Sequence, residues 1–295
     1  MNKLWFVHWS QKKWLALLGL AFFVSCTDSS MSERSIVGEY QGYEFELTWK
    51  AAGHNLNEYQ VQTRVLSVIE HIIEQFDAQN EHSEVSRFNQ WPAAEAYVLT
   101  RELEELLNYG ISLYEVSNGD ISIFTANDDS SPADMEITNH LVTKLDDSFA
   151  VDLNVLIEGY IADRISDLFQ LLRVSDYHIS VNGATRLRSG GRHQQRVGHE
   201  INANQHVLKL GLPVNKTLAY SSFSEDEPDT TGIRSIIVIH ENAATARGLA
   251  RGLMSGTKDA AKTFVEDNQV PVYLIMDENG EEKSYTNAQF RQFLS

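Results

Sequence analysis

The sequence predicts an α+β domain in which a mixed central sheet is flanked by helices. Three observations point there. Several short segments alternate apolar and polar residues with the period of a half-buried strand. Longer segments repeat their apolar residues every three or four positions, the period of a helix packed on one face. Apolar residues make up 42% of the chain, enough for a substantial core. Interleaving of helices and strands alone also suits an α/β domain, and one architecture hosts many chemistries.

The elements follow in order. Tyr43 to Trp49 alternates as a strand. Val61, Val65, Ile69, Ile72, Ile73 and Phe76 mark the apolar face of a long helix over Asn57 to Ala78. Leu103, Leu106, Leu107, Ile111 and Tyr114 mark a second helix, ended by Asn118-Gly119, a pair suited to a left-handed terminus. Phe149 to Leu153 reads as a short strand, and Ile157 to Leu172 as a helix with Ile161, Ile165, Leu168 and Leu172 inward. Tyr177 to Val181, His206 to Leu210, Ile233 to His240 and Pro271 to Met276 read as strands. Helices over Ala243 to Ser255 and Lys258 to Asn268 separate the last two. Asn127 to Asp134 reads as a surface loop.

The N-terminus reads as an export signal over residues 1–25. Lys3, Lys12 and Lys13 supply positive charge, and no acidic residue precedes Asp28. The apolar run from Trp14 to Ser25 is 12 residues long, short of the ~20 that span a bilayer and suited to a signal peptide. It ends in Phe23-Val24-Ser25-Cys26, a bacterial lipobox in outline with Phe23 where Leu is usual. Cys26 is the only cysteine, so no internal disulfide accounts for it. The expected mature chain bears lipid on Cys26, followed by a tether over residues 26–35 and a domain over 36–295. Acyl chains at ~0.8 kcal/mol per buried CH₂ hold such a protein on a membrane. Ordinary signal-peptidase cleavage is the alternative. Thr27, where Asp tends to retain lipoproteins at the inner membrane, leans toward the outer one.

Charge excludes some partners. Removing three of the 24 basic residues and none of the 41 acidic ones leaves a net charge of −20. Such a surface repels phosphate backbones, so no nucleic-acid partner is expected. The ten histidines show no metalloprotease spacing, and one cysteine builds no zinc site.

Four segments taken in order carry a resemblance. They are Ser83 to Asn89 (SEVSRFN), Ser117 to Ser122 (SNGDIS), Val151-Asp152-Leu153 through Glu158-Gly159-Tyr160-Ile161-Ala162-Asp163, and Ala243 to Gly256 (AATARGLARGLMSG) with the strand and turn after it, Val270 to Gly280. Together they resemble the FAD:protein FMN transferase (ApbE) family, from about Ile36 to Leu294. The resemblance implies the ApbE-like fold, FAD and Mg²⁺ as ligands, and transfer of FMN to a Thr or Ser hydroxyl of an acceptor redox protein with release of AMP. It also implies the periplasmic face of a bacterial membrane as the workplace. The flavin-binding positions it implies are Gln41, Asp120, Ile121, Ser122, Asp152 and Glu158. No catalytic residue is assigned.

At the metal-ligand positions the chain departs from the family pattern. The Asp and Thr that lie four residues apart on one helix in the family are Arg247 and Arg251 here. A guanidinium has no acceptor and ligates no metal. The Asp and Thr of the Gly-x-Phe-Asp-x-Thr segment are Ser122 and Phe124, the Thr-Ser-Gly segment reads Tyr220-Ser221-Ser222, and the following His-x-Ile-Asp-Pro stretch gives way to an acidic loop over residues 224–232. Asp152, Gly159, Tyr160 and Asp163 are kept. Several readings stay open: Asp152 as a helix cap or a flavin contact, Arg87 and Asn89 as structural residues, and Arg247 and Arg251 as a solvated face or as cations that replace the metal on a pyrophosphate. Two functions remain accordingly, an enzyme with a remodelled site and a non-catalytic flavin-binding or partner-binding scaffold.

Overall fold

The computed structural model describes residues 32–51, 57–125, 130–190, 196–203, 206–213, 217–224 and 232–294. The expected leader, Cys26, residues 225–231 of the acidic loop and residues 127–129 of the 127–134 loop lie outside them. The strands are β1 (Ser32–Tyr40), β2 (Tyr43–Ala51), β3 (Ala96–Val98), β4 (Met135–Thr138), β5 (Leu141–Lys144), β6 (Tyr177–Val181), β7 (Ala184–Arg188), β8 (Arg196–Ala203), β9 (His206–Pro213), β10 (Thr217–Ser224), β11 (Ile233–His240), β12 (Val272–Glu278) and β13 (Glu281–Thr286). The helices are α1 (Glu58–Phe76), α2 (Glu84–Gln90), α3 (Arg101–Val116), α4 (Asn154–Leu171), α5 (Ala243–Ser255), α6 (Lys258–Asp267) and α7 (Ala288–Arg291). Among the described residues no helix is long and apolar enough to cross a membrane.

Eight strands form one sheet in the order β1-β2-β6-β7-β10-β11-β12-β13. Every neighbouring pair in it is antiparallel, so the α+β class holds while the expected mixed sheet is an antiparallel one. Two-residue turns explain much of this. Gln41-Gly42, Asn182-Gly183 and Asn279-Gly280 all have positive φ, the geometry that matches the twist of a tight hairpin. β1 begins at Ser32, inside the stretch read as tether. Phe149 to Leu153 is not a strand: Val151 forms an isolated bridge with Phe124, and both its backbone groups pair with the Asn89 side chain at 2.9 Å. Asn89 is thus structural. Arg87 also serves the fold, donating to the His82 carbonyl at 3.1 Å.

Side chains alternate across the sheet. On β11, Ile236 and Val238 join the main core, and Ile237 and Ile239 join a second cluster with Tyr273, Ile275 and Phe290. The main core holds the apolar faces of α1 and α3 and nearly the whole circumference of α4, including Glu158 and Asp163. Of the residues expected inward on α4, Ile161 and Ile165 are buried, whereas Leu168 and Leu172 are half-buried. α4 therefore lies deeper than a one-faced surface helix.

Gly159 sets how closely α4 meets α5. A Cβ there would sit 2.2 Å from the Ala243 carbonyl oxygen and 2.5 Å from the Ala244 Cα. Both are backbone atoms at the start of α5, so neither yields cheaply. Gly159→Ala is expected to destabilise the fold by about 3 kcal/mol through overpacking, read as a lower urea midpoint with an unchanged m-value.

Candidate functional site

The α4–α5 crossing is also where charge is buried. Asp163 accepts hydrogen bonds from the Ala243 and Ala244 amides at 2.9–3.0 Å, closing the N-terminus of α5. Arg186 of β7 lies 3.2 Å from the same carboxylate and donates to the Glu241 carbonyl. Burial pushes the Asp163 carboxyl up to about 6, against the pull of Arg186 and the two amides.

Toward the other end of the crossing stands Glu158. Its Oε2 receives Arg247 Nε at 2.5 Å and Arg251 Nη1 at 3.3 Å. Its Oε1 receives Asn182 Nδ2 at 3.0 Å. Arg247 is 4% exposed and reaches Ser221 Oγ at 3.4 Å. Burial pulls its pKa down, and Glu158 opposes that pull. Arg251, one turn further along the same helix face, keeps 45% of its side chain exposed. Asn182 sits in the β6–β7 turn with φ +44. It also accepts from the Glu44 amide at 2.9 Å and donates to the Gly42 carbonyl at 3.2 Å, tying both hairpin turns to Glu158. Tyr43 lies beside them, its hydroxyl pKa raised by burial and then by Glu158.

The loop after α3 closes the site. Gly119 donates to the Tyr114 carbonyl with φ +90 and ends the helix, as its sequence predicts. Ser117 Oγ accepts from the Ile121 amide at 3.0 Å. Ile121 is buried against Gly252 of α5, where a Cβ would meet its Cδ1 at 2.4 Å. Asp152 then donates its amide to the Ile123 carbonyl at 2.8 Å, and Thr125 its amide to the Ala150 carbonyl at 3.0 Å. These contacts bring three distant segments around a cavity of about 270 Å³ lined by Ser122, Thr125, Asp152, Asn154, Val155 and Arg251.

Of the positions expected to bind flavin, Ser122 and Asp152 line this cavity, Glu158 stands behind it through Arg251, and Ile121 is a packing residue. Asp120 is exposed in the loop and Gln41 is exposed in the β1–β2 turn; neither lines the cavity. Asp152 is cap and wall at once, since its Oδ1 accepts from the Asn154 amide at 2.8 Å. Sequence reading missed Asn182, although Asn182-Gly183 carries the signal of a tight hairpin turn. It also missed Thr125. Phe124 turns into the core against Tyr114 and Phe149, and the neighbouring Thr125 lines the cavity instead.

The donor set does not fit Mg²⁺. That ion takes hard oxygen ligands in octahedral geometry, and no group of three or more His, Cys, Asp or Glu among the described residues could hold a metal. At ~4 Å and an effective dielectric of ~20, each guanidinium would oppose a unit of positive charge by about 4 kcal/mol.

Residues 42–274 match the ApbE family. The chain belongs to that family. It is 21% identical over 332 residues to the FAD:protein FMN transferase of Vibrio cholerae, covering 96% of this chain and 99% of that one. It is 29% identical over 166 residues to the Klebsiella pneumoniae enzyme of the same name, covering 49% of this chain and 47% of the relative. Among solved structures, the flavin transferase ApbE from Vibrio cholerae superposes with a TM-score of 0.71 at 20% identity, over 89% of this chain and 99% of that chain. The apo form of the Pseudomonas stutzeri flavinyl transferase ApbE gives 0.74 at 15% identity, over 89% and 97%. The ApbE fold expected from the sequence is therefore the fold observed.

The burial of Glu158 and Arg247 makes them interdependent. Glu158→Ala leaves Arg247 charged and buried without its counterion and is expected to cost about 3–5 kcal/mol. Arg251→Ala removes a half-exposed partner and is expected to cost under about 1 kcal/mol. Urea titration of the two variants separates these outcomes.

Proposed function

We propose that this chain is a flavin transferase that takes FAD and passes its FMN portion to a hydroxyl of an acceptor protein. Atoms balance simply in that reaction. The Thr or Ser oxygen forms a bond to the FMN phosphorus, the phosphorus–oxygen bond to AMP breaks, and the hydroxyl proton offsets the charge released with AMP. The observation that carries the reading is the cavity between the loop after α3, the start of α4 and Arg251 of α5. Ser122, Thr125, Asp152 and Arg251 come from three segments and converge there, in a chain matched along its length to named flavin transferases. At about 270 Å³ it is smaller than the ~300–1,000 Å³ clefts that enclose drug-sized ligands, so it suits one portion of a dinucleotide. The hydroxyls and the guanidinium supply donors for phosphate oxygens.

The acceptor in this reading is a membrane or periplasmic redox protein. The chain is held beside it by lipid on Cys26 at the periplasmic face of a bacterial membrane, with the outer membrane favoured. The 12-residue apolar run, the small residue before Cys26 and the absence of any other cysteine support that address.

Two experiments test these readings. Incubation of the full chain in detergent with FAD, Mg²⁺ and a solubilised membrane fraction is expected to yield AMP and a protein carrying covalent FMN by mass. Flavin bound without transfer would instead favour a scaffold, and no bound flavin would overturn both flavin readings. Cys26→Ser is expected to shift the chain from the membrane pellet to the soluble fraction after cell lysis. Unchanged membrane association in that variant would sink the lipid anchor.

A further inference from the structure

We infer that the cleft binds the diphosphate of its nucleotide with Arg251 and without a divalent cation. The inference rests on the flavin-transferase reading for the identity of the nucleotide and on this chain's own residues for the charge that holds it. Positive charge is already built into the site. Arg247 is committed: it is buried, with Nε at 2.5 Å from Glu158 Oε2 and Nη1 at 3.4 Å from Ser221 Oγ. Because Arg247 neutralises most of Glu158, Arg251 needs little from that carboxylate. It holds one Nη at 3.3 Å from Glu158 while 45% of its side chain remains exposed on the cavity wall. Glu158 thus works as an anchor that orients the guanidinium and leaves donors for a ligand. An arginine suits two phosphate oxygens at once, since its donors form a fixed fork.

The rest of the wall agrees. Ser122 and Thr125 are exposed residues on the same cavity, and the Ser122 hydroxyl accepts from the Phe124 amide at 2.9 Å and donates to its carbonyl at a long 3.4 Å. Asp152 also faces it, with one oxygen occupied by the Asn154 amide at 2.8 Å. Its charge repels phosphate and so biases an anion toward Arg251 and the hydroxyls. Counted together, Arg247, Arg251, Glu158 and Asp152 sum to zero. A divalent cation would enter a site with no surplus negative charge and two fixed guanidiniums, so the chain offers it no attraction. The two arginines stand at the positions where the family resemblance places an Asp and a Thr as metal ligands. The same helix face therefore presents positive charge covalently.

The test titrates the full chain in detergent with FAD, following flavin fluorescence, once in EDTA and once in excess Mg²⁺. The dissociation constant is expected to agree within about twofold between the two conditions. Arg251→Ala is expected to weaken binding by roughly tenfold to a hundredfold, the loss of a charge-assisted contact. Its melting temperature should barely move, and Arg251→Lys should recover part of the affinity. FAD binding that requires Mg²⁺, or is tightened tenfold by it, overturns the inference and leaves the transferase reading intact. If wild type binds no FAD in either condition, the transferase reading falls, and inorganic pyrophosphate tests the cationic site alone. A pyrophosphate-induced rise in melting temperature in EDTA, lost in Arg251→Ala, supports the inference; no rise overturns it.

Discussion

The buried pair of Glu158 and Arg247 is the constraint around which the site is arranged. α4 and α5 meet at backbone distance because position 159 has no side chain. Packing that close leaves neighbouring charges no route to water, so each must be met by a partner. Glu158 meets Arg247 on one side of the crossing, and Asp163 meets Arg186 and the first amides of α5 on the other. Replacing such pairs by apolar residues is often neutral or favourable to stability, so their presence points to a geometric role. Here the geometry they fix is the rotation of α5, which decides that Arg251 faces the cavity.

Hairpin chemistry supplies the remaining wall supports. The turns Gln41-Gly42 and Asn182-Gly183 lie side by side because β2 pairs with β6. Asn182 can reach across only because it occupies a left-handed turn position, which Asn tolerates better than most residues. Its side chain then bonds Gly42, Glu44 and Glu158 together. One loop amide thus couples the sheet edge to the central helix. The family fold is retained with this frame.

Much of the frame was legible from periodicity. α5 was read as Ala243 to Ser255 and is observed there; α1 and α3 follow their apolar stripes. Strand direction was not legible, because a period of two is identical in parallel and antiparallel sheets. β13 was missed because Glu281 to Ser284 are all exposed and show no alternation. β10 is rich in small polar residues, as its sequence TLAYSSFS shows. Phe149 to Leu153 alternates like a strand yet finds only a bridge, since Asn89 takes both backbone groups of Val151. At the site, Asp152, Glu158, Arg247 and Arg251 were legible through the family pattern. Thr125 and Asn182 were not, because a one-residue shift in a loop and a side chain bridging two turns leave no motif.

The central claim is that the cleft holds its nucleotide with Arg251 and without a divalent cation. The most direct measurement is a titration of the isotope-labelled full chain with Mn²⁺, in the presence and absence of FAD, monitored by paramagnetic broadening of backbone and arginine signals. The account predicts weak, non-saturating broadening spread over the acidic surface, with the Arg251 and Asp152 signals no more affected than the rest. Saturating broadening centred on Asp152, Glu158 and Arg251, at one Mn²⁺ per chain, would contradict it.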